Sequence, residues 1–144
     1  YANMVKNGGF EALEKLSGEA KKYIAPLPID YEPDEEAAGM FGLMMMTSGK
    51  HTDPENVAKA QALKDATMGW FIAQNLKSKF VHLNGNYHSD FKKGIITYLN
   101  KYRPGLKIAT VCSVRQDDIK KLGEENEGRA DFYICVPTDM TMTY

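Results

Sequence analysis

Along the first half of the chain, apolar residues recur every three or four positions. After about residue 78 they gather instead into short continuous runs. Phe10, Leu13, Leu16, Ala20 and Ile24 predict an amphipathic helix over 10–24, opened by Gly8-Gly9 and stopped by Pro26 and Pro28. Residues 25–35 read as a connector, because each proline disfavours helix at the residue before it. A second helix is expected from about Asp34 to Met46, with acidic residues in its first turn. Its Met40, Phe41, Leu43 and Met44-Met45-Met46 read either as a core-filling stripe or as a pliable wall for a large flat ligand. Residues 47–52 read as a polar loop. A third helix starts with Asp53 as N-cap and Pro54 as first residue and runs to about Lys77. Val57, Ala60, Leu63, Met68, Phe71, Ile72 and Leu76 form its apolar stripe, and Gln61 and Asp65 share one face.

Beyond this helix the period changes. Lys79 to Asn84 and Leu106 to Val114 read as strands, separated by a helix over Ser89 to Tyr102 whose Phe91, Ile95, Tyr98 and Leu99 share a face. A short helix over Gln116 to Glu124, started by Asp117-Asp118, leads to a last strand over Asp131 to Val136. Alternating strands and helices are the pattern of a parallel sheet with crossover connections. The expected fold class is therefore α/β: a short, mostly parallel sheet with flanking helices in three layers. Residues 1–77 are mainly helical and 78–144 are βαβαβ, within a single domain spanning 1–144. The apolar runs of the last two strands predict burial on both faces.

Composition narrows the function. A chain of 144 residues is one domain's worth of sequence and can bury a core without disulfides or metals. With 18 Lys+Arg against 19 Asp+Glu, it lacks the basic excess of a general nucleic-acid binder, and nucleic acid is not expected as a partner. No apolar run approaches the ~20 residues of a membrane span. Cys112 and Cys135 fall in apolar runs and read as buried thiols; a disulfide would require their strands to be neighbours with suitable geometry. No C-x-x-C or H-E-x-x-H motif occurs. Of the three histidines, His82 lies within a predicted strand and reads as a hydrogen-bonded core residue, and His51 reads as a loop residue.

The third, His88, closes Gly85-Asn86-Tyr87-His88, which follows the first predicted strand directly before a predicted helix. Ligands of open α/β sheets bind beyond the carboxyl ends of strands. Gly85 is expected to turn the chain with a positive φ, and Asn86 to fix the turn or reach a ligand. Tyr87 and His88 would then be displayed at a helix N-terminus, which favours anionic groups.

Gln61-Ala62-Leu63-Lys64-Asp65-Ala66-Thr67-Met68, the Gly85-Asn86-Tyr87-His88 turn, Gly94 and Ala130-Asp131-Phe132-Tyr133 together resemble the ChaN-like family of haem-binding, iron-regulated lipoproteins. Tyr1-Ala2-Asn3-Met4-Val5 and Glu11-Ala12-Leu13 are similar to the family's middle region. The resemblance implies a non-enzymatic haem-binding protein of the cell envelope, acting in iron acquisition. In the intact protein it implies a lipid anchor to the outer membrane and an outer-membrane haem receptor as partner; a homodimer is expected because two protomers enclose the large, flat haem better than one. It makes Tyr87 and His88 the candidate iron ligands, with Gly85 and Asn86 beside them. The helix N-terminus would receive a propionate, and Phe41, Met44 to Met46 and Trp70 would face the porphyrin.

The chain departs from the family in several places. Family members carry an earlier Gly-Glu-x-His motif that is absent here, and many have a small residue at the position of Tyr87 and Ala at that of Ser89. With Tyr1 as first residue, the chain is expected to be the later part of a longer domain. The N-terminal part of its sheet would be missing and one sheet edge would be exposed. Tiki proteases and erythromycin esterases are similar at the same motifs, so a metal-dependent hydrolase using His88 is the alternative. A cofactor-free assembly module with the Met-rich helix and the incomplete sheet as partner surface is a third reading.

Overall fold

The computed structural model describes residues 1–33, 39, 42–43 and 53–141. They form a mixed α/β protein in two compact units, Tyr1–Asn75 and Leu76–Tyr144. The expected helix over Asp34 to Met46 lies outside the described residues, apart from Gly39, Gly42 and Leu43, which are helical. No helix among the described residues is long and apolar enough to cross a membrane.

The first unit is helical. Helix α1 (Ala2–Gly8) ends at Gly9, whose φ of 65° favours glycine. The single helix expected over 10–24 is broken. A 3₁₀ stretch, Phe10–Lys15, ends at Leu16 in extended conformation, and a four-residue helix α2 (Gly18–Lys21) follows. The cause is Ser17, whose hydroxyl accepts from the backbone N–H of Ala20 at 3.2 Å. Serine competes for backbone groups in this way and so starts a helix rather than continuing one. Leu13 and Ile24 are buried as the spacing required.

Helix α3 (Pro54–Asn75) starts where its caps placed it. The Asp53 carboxylate accepts from the backbone N–H of Glu55 at 3.0 Å, and its carbonyl from that of Val57 at 3.1 Å. Val57, Ala60, Leu63 and Ile72 are buried, but Phe71 is exposed. Helix α1 packs on α3, and the connector is tied to it by the Ala25 N–H donating to Thr67 Oγ1 at 3.2 Å. Phe10 meets Tyr31 edge-to-face at 5.7 Å, and Tyr31 packs against Val57 and Ala58. Asp65 is buried on this helix, while Gln61 Oε1 accepts from Lys64 Nζ at 3.0 Å.

The second unit carries the sheet, which differs from βαβαβ in three ways. First, Lys79 to Asn84 forms no strand; Val81 and Leu83 are 84% and 88% exposed, and His82 is exposed rather than a core histidine. An apolar run becomes a ladder strand only when a neighbour supplies hydrogen bonds and a covering face, and none among the described residues does so here. Second, the helix expected from Ser89 begins only at Ile95 (α4, Ile95–Tyr102), after 3₁₀ turns at Asn86–His88 and Asp90–Lys92. Positive φ angles at Phe91, Lys92 and Gly94 interrupt it. Third, Gln116 to Glu124 is not a helix. The buried Gln116 side chain collects the turn, donating to the Asp118 and Lys121 carbonyls and accepting from the Gly123 N–H at 3.1 Å.

Strands β1 (Val111–Gln116) and β2 (Phe132–Pro137) are parallel, in register from Val111 opposite Phe132 to Gln116 opposite Pro137. Burial on both faces does not hold. Cys112, Val114 and Gln116 are buried, whereas Val111, Phe132 and Ile134 on the other face are 59%, 62% and 57% exposed. Cys112 is buried, Cys135 is half-buried, and both are free thiols.

Candidate functional site

The Gly85-Asn86-Tyr87-His88 segment is a 3₁₀ turn fastened to β1. The His88 N–H donates to the Gly85 carbonyl at 3.0 Å and the Ser89 N–H to that of Asn86 at 2.9 Å. Asn86 Nδ2 donates to the Ser113 carbonyl at 2.8 Å, so this side chain fixes the turn. Asn84 Nδ2 bridges the Gly85 carbonyl at 2.9 Å and Ser89 Oγ at 3.0 Å. Gly85 has φ of −67°, so the expected positive φ is not the reason for glycine here; a Cβ at this position would meet nothing within 4 Å. Tyr87 is 41% exposed and His88 half-buried, their rings edge-to-face at 5.5 Å. Neither stands at an α-helix N-terminus, because α4 begins at Ile95, so the helix-dipole anion site expected beside them is not formed.

Just past His88, a polar network joins this turn to the strands. Asp90 Oδ2 accepts from Arg129 Nη2 at 2.7 Å and Nε at 3.2 Å. Its other oxygen accepts from Cys112 Sγ at 3.6 Å. Arg129 Nη1 donates to Asn126 Oδ1 at 2.8 Å, and Asn126 Nδ2 reaches Gln116 Oε1 at 3.4 Å. Burial pushes the Cys112 thiol above its ordinary range, with Asp90 adding to the rise against the pull of Arg129. The hydrogen bond to Asp90 raises Arg129 in turn.

Asp131 holds a second junction. Its carboxylate accepts from Lys92 Nζ at 2.6 Å, from the Thr110 N–H at 2.8 Å and from Thr110 Oγ1 at 3.0 Å. These donors, Lys92 foremost, lower its pKa to about 2. Spacing gave no sign of Asp90 and Arg129, which lie 39 residues apart, or of Asn126, which joins them through Arg129. Asp131 was visible only as part of the Ala130-Asp131-Phe132-Tyr133 motif.

The turn thus gathers Gly85, Asn86, Tyr87 and His88. Trp70 is half-buried on α3 in the other unit, and Phe41, Met44 to Met46 and His51 lie outside the described residues.

A family model described as haem-binding uptake, Tiki superfamily, ChaN matches residues 1–99. The chain belongs to this haem-binding uptake family. The ChaN-family match takes in α1, α3 and the Gly85–His88 turn, and ends before the two strands. No curated protein and no solved structure matches the chain. The donor set of the turn suits the ligand named by the family, because a tyrosine phenol and a histidine imidazole both ligate haem iron.

Proposed function

We propose that this protein binds haem for iron acquisition at the cell envelope, with Tyr87 or His88 as the iron ligand. The observation that carries the reading is the Gly85–His88 turn itself. It lies within the matched family segment and presents two adjacent iron-ligating side chains, Tyr87 being exposed. Asn86 would hold the turn against β1 while Gly85 leaves open space beside it. Bound haem would contribute an iron centre able to take a protein side chain as ligand. The chain's own part is to offer that ligand from the Gly85–His88 turn.

The same reading makes the intact protein a non-enzymatic, lipid-anchored envelope homodimer that exchanges haem with an outer-membrane receptor. It also places the two strands within a larger three-layer sheet. Support for that comes from the exposed apolar face of Val111, Phe132 and Ile134, and from the run over 79–84, which pairs with no strand among the described residues.

Haemin titration with Soret-band detection tests the reading. Tyr87→Ala or His88→Ala should change the spectrum of the bound complex, according to which residue ligates. No spectral shift of the wild-type protein at micromolar haemin would overturn it. Stoichiometric divalent metal, with hydrolytic activity lost on chelation, would favour the hydrolase alternative. Among the described residues no group of three or more His, Cys, Asp or Glu is placed to hold a metal ion.

A further inference from the structure

Phe91 and Lys92, just beyond His88, both have φ of 57°. Left-handed backbone is uncommon at any residue bearing a side chain, and for a bulky residue it is a true outlier. Such residues persist only where their surroundings over-determine them.

Here the surroundings are three consecutive residues before β2. The Phe91 N–H donates to the Arg129 carbonyl at 2.9 Å. On one side of the strained pair, Arg129 grips Asp90, with side-chain exposures of only 23% and 17%. On the other, Lys92 is held by Asp131 at 2.6 Å, and Asp131 is anchored to Thr110 through both its carboxylate and its own N–H. Two ion pairs and a backbone hydrogen bond therefore bracket the left-handed pair, all from residues 129–131. On the preceding side the turn is fixed by Asn86 on Ser113.

We propose that Arg129 and Asp131 are positioning residues for the Tyr87/His88 turn. By holding Phe91 and Lys92 left-handed, they set the direction in which the two ligand side chains leave the chain. The consequence for haem rests on the function proposed above; the clamp itself does not. Residues 129–131 lie beyond the matched residues 1–99.

The test uses the whole chain and two readouts. In the ligand-free protein, Arg129→Gln should raise amide hydrogen exchange across residues 86–92 by about tenfold, leaving α3 unchanged, as expected when local opening is released. With haemin, the same variant should change the Soret position and the paramagnetic resonance signature of the iron. A second substitution separates positioning from charge. Phe91→Gly supplies a residue that takes positive φ without steric cost, so adding it to Arg129→Gln should move both readouts back toward wild type.

Unchanged exchange in Arg129→Gln overturns the proposal. So does a spectral change that Phe91→Gly fails to reverse, because lost charge would then be the cause. If wild-type protein binds no haemin, the functional reading falls and the exchange measurement alone decides the clamp. If Arg129→Gln does not fold, Asp131→Asn carries the same exchange test, with the same increase supporting the clamp and unchanged exchange overturning it.

Discussion

Leu63 is among the most deeply buried side chains of the first unit, at 2% exposure, and sits on α3, the helix against which α1 packs. Leu63→Ala removes three methylene equivalents, or roughly 2.4 kcal/mol of transfer free energy at about 0.8 kcal/mol each. The cavity left by incomplete relaxation brings the expected loss to about 3 kcal/mol. How far the melting temperature falls depends on what melts. At roughly 2.1 cal/mol/K per residue, a cooperative chain of 144 residues has an unfolding entropy near 0.30 kcal/mol/K, and the shift is about 10 °C. If the Tyr1–Asn75 unit melts alone, its entropy is about 0.16 kcal/mol/K and the shift approaches ~19 °C. Differential scanning calorimetry reads both the shift and the number of transitions. Leu83→Ala is the control: at 88% exposure it should change stability by no more than ~0.5 kcal/mol. If Leu63→Ala costs no more than this control, the packing described for α3 is wrong.

Three further predictions follow from the second unit. Because the folded pKa of Asp131 is about 2 against an ordinary 3.8, its contribution to stability is fully present above pH ~4 and is lost as pH falls toward 2. Denaturant titrations from pH 6 to 2 should therefore show a steeper acid loss for wild type than for Asp131→Asn, and equal slopes would refute the assignment. With an exchange-inert thiol reagent, the half-buried Cys135 should be labelled before the buried Cys112, whose thiol is raised by desolvation. Mass spectrometry of the unfolded, unreduced chain should count two free thiols, and a disulfide mass would contradict the structure.

Elements whose determinants lie within a few residues were legible in the sequence. Asp53 and Pro54 start α3 because a cap and its N–H partner are two residues apart. The β-branched and aromatic run read as a strand over 131–136 is β2 at Phe132–Pro137, although the parallel neighbour that pairs with it, β1, lies 21 residues earlier. The ordered motifs also identify the haem-binding uptake family and single out the Gly85–His88 turn, independently of any coordinates.

Other features depended on contacts that spacing does not encode. Phe80 to Leu83 has the same apolar character as β2, yet it is no strand, because extended chain is stabilised by pairing and not by propensity alone. Periodicity carried a helix through Ser17, where the side chain had a better use as a cap, and started another at Ser89, where Phe91 and Lys92 turn left-handed instead. Charge alone could not join Asp90 to Arg129 or Lys92 to Asp131. Each pair spans 39 residues, and only the return of the chain before β2 brings its members within hydrogen-bonding distance. The sequence by itself set Tyr87 and His88 side by side in one motif; the tertiary structure decided that they stand on a 3₁₀ turn and not at a helix end, because the backbone beyond His88 turns left-handed at Phe91 and Lys92 and is held by partners far along the chain.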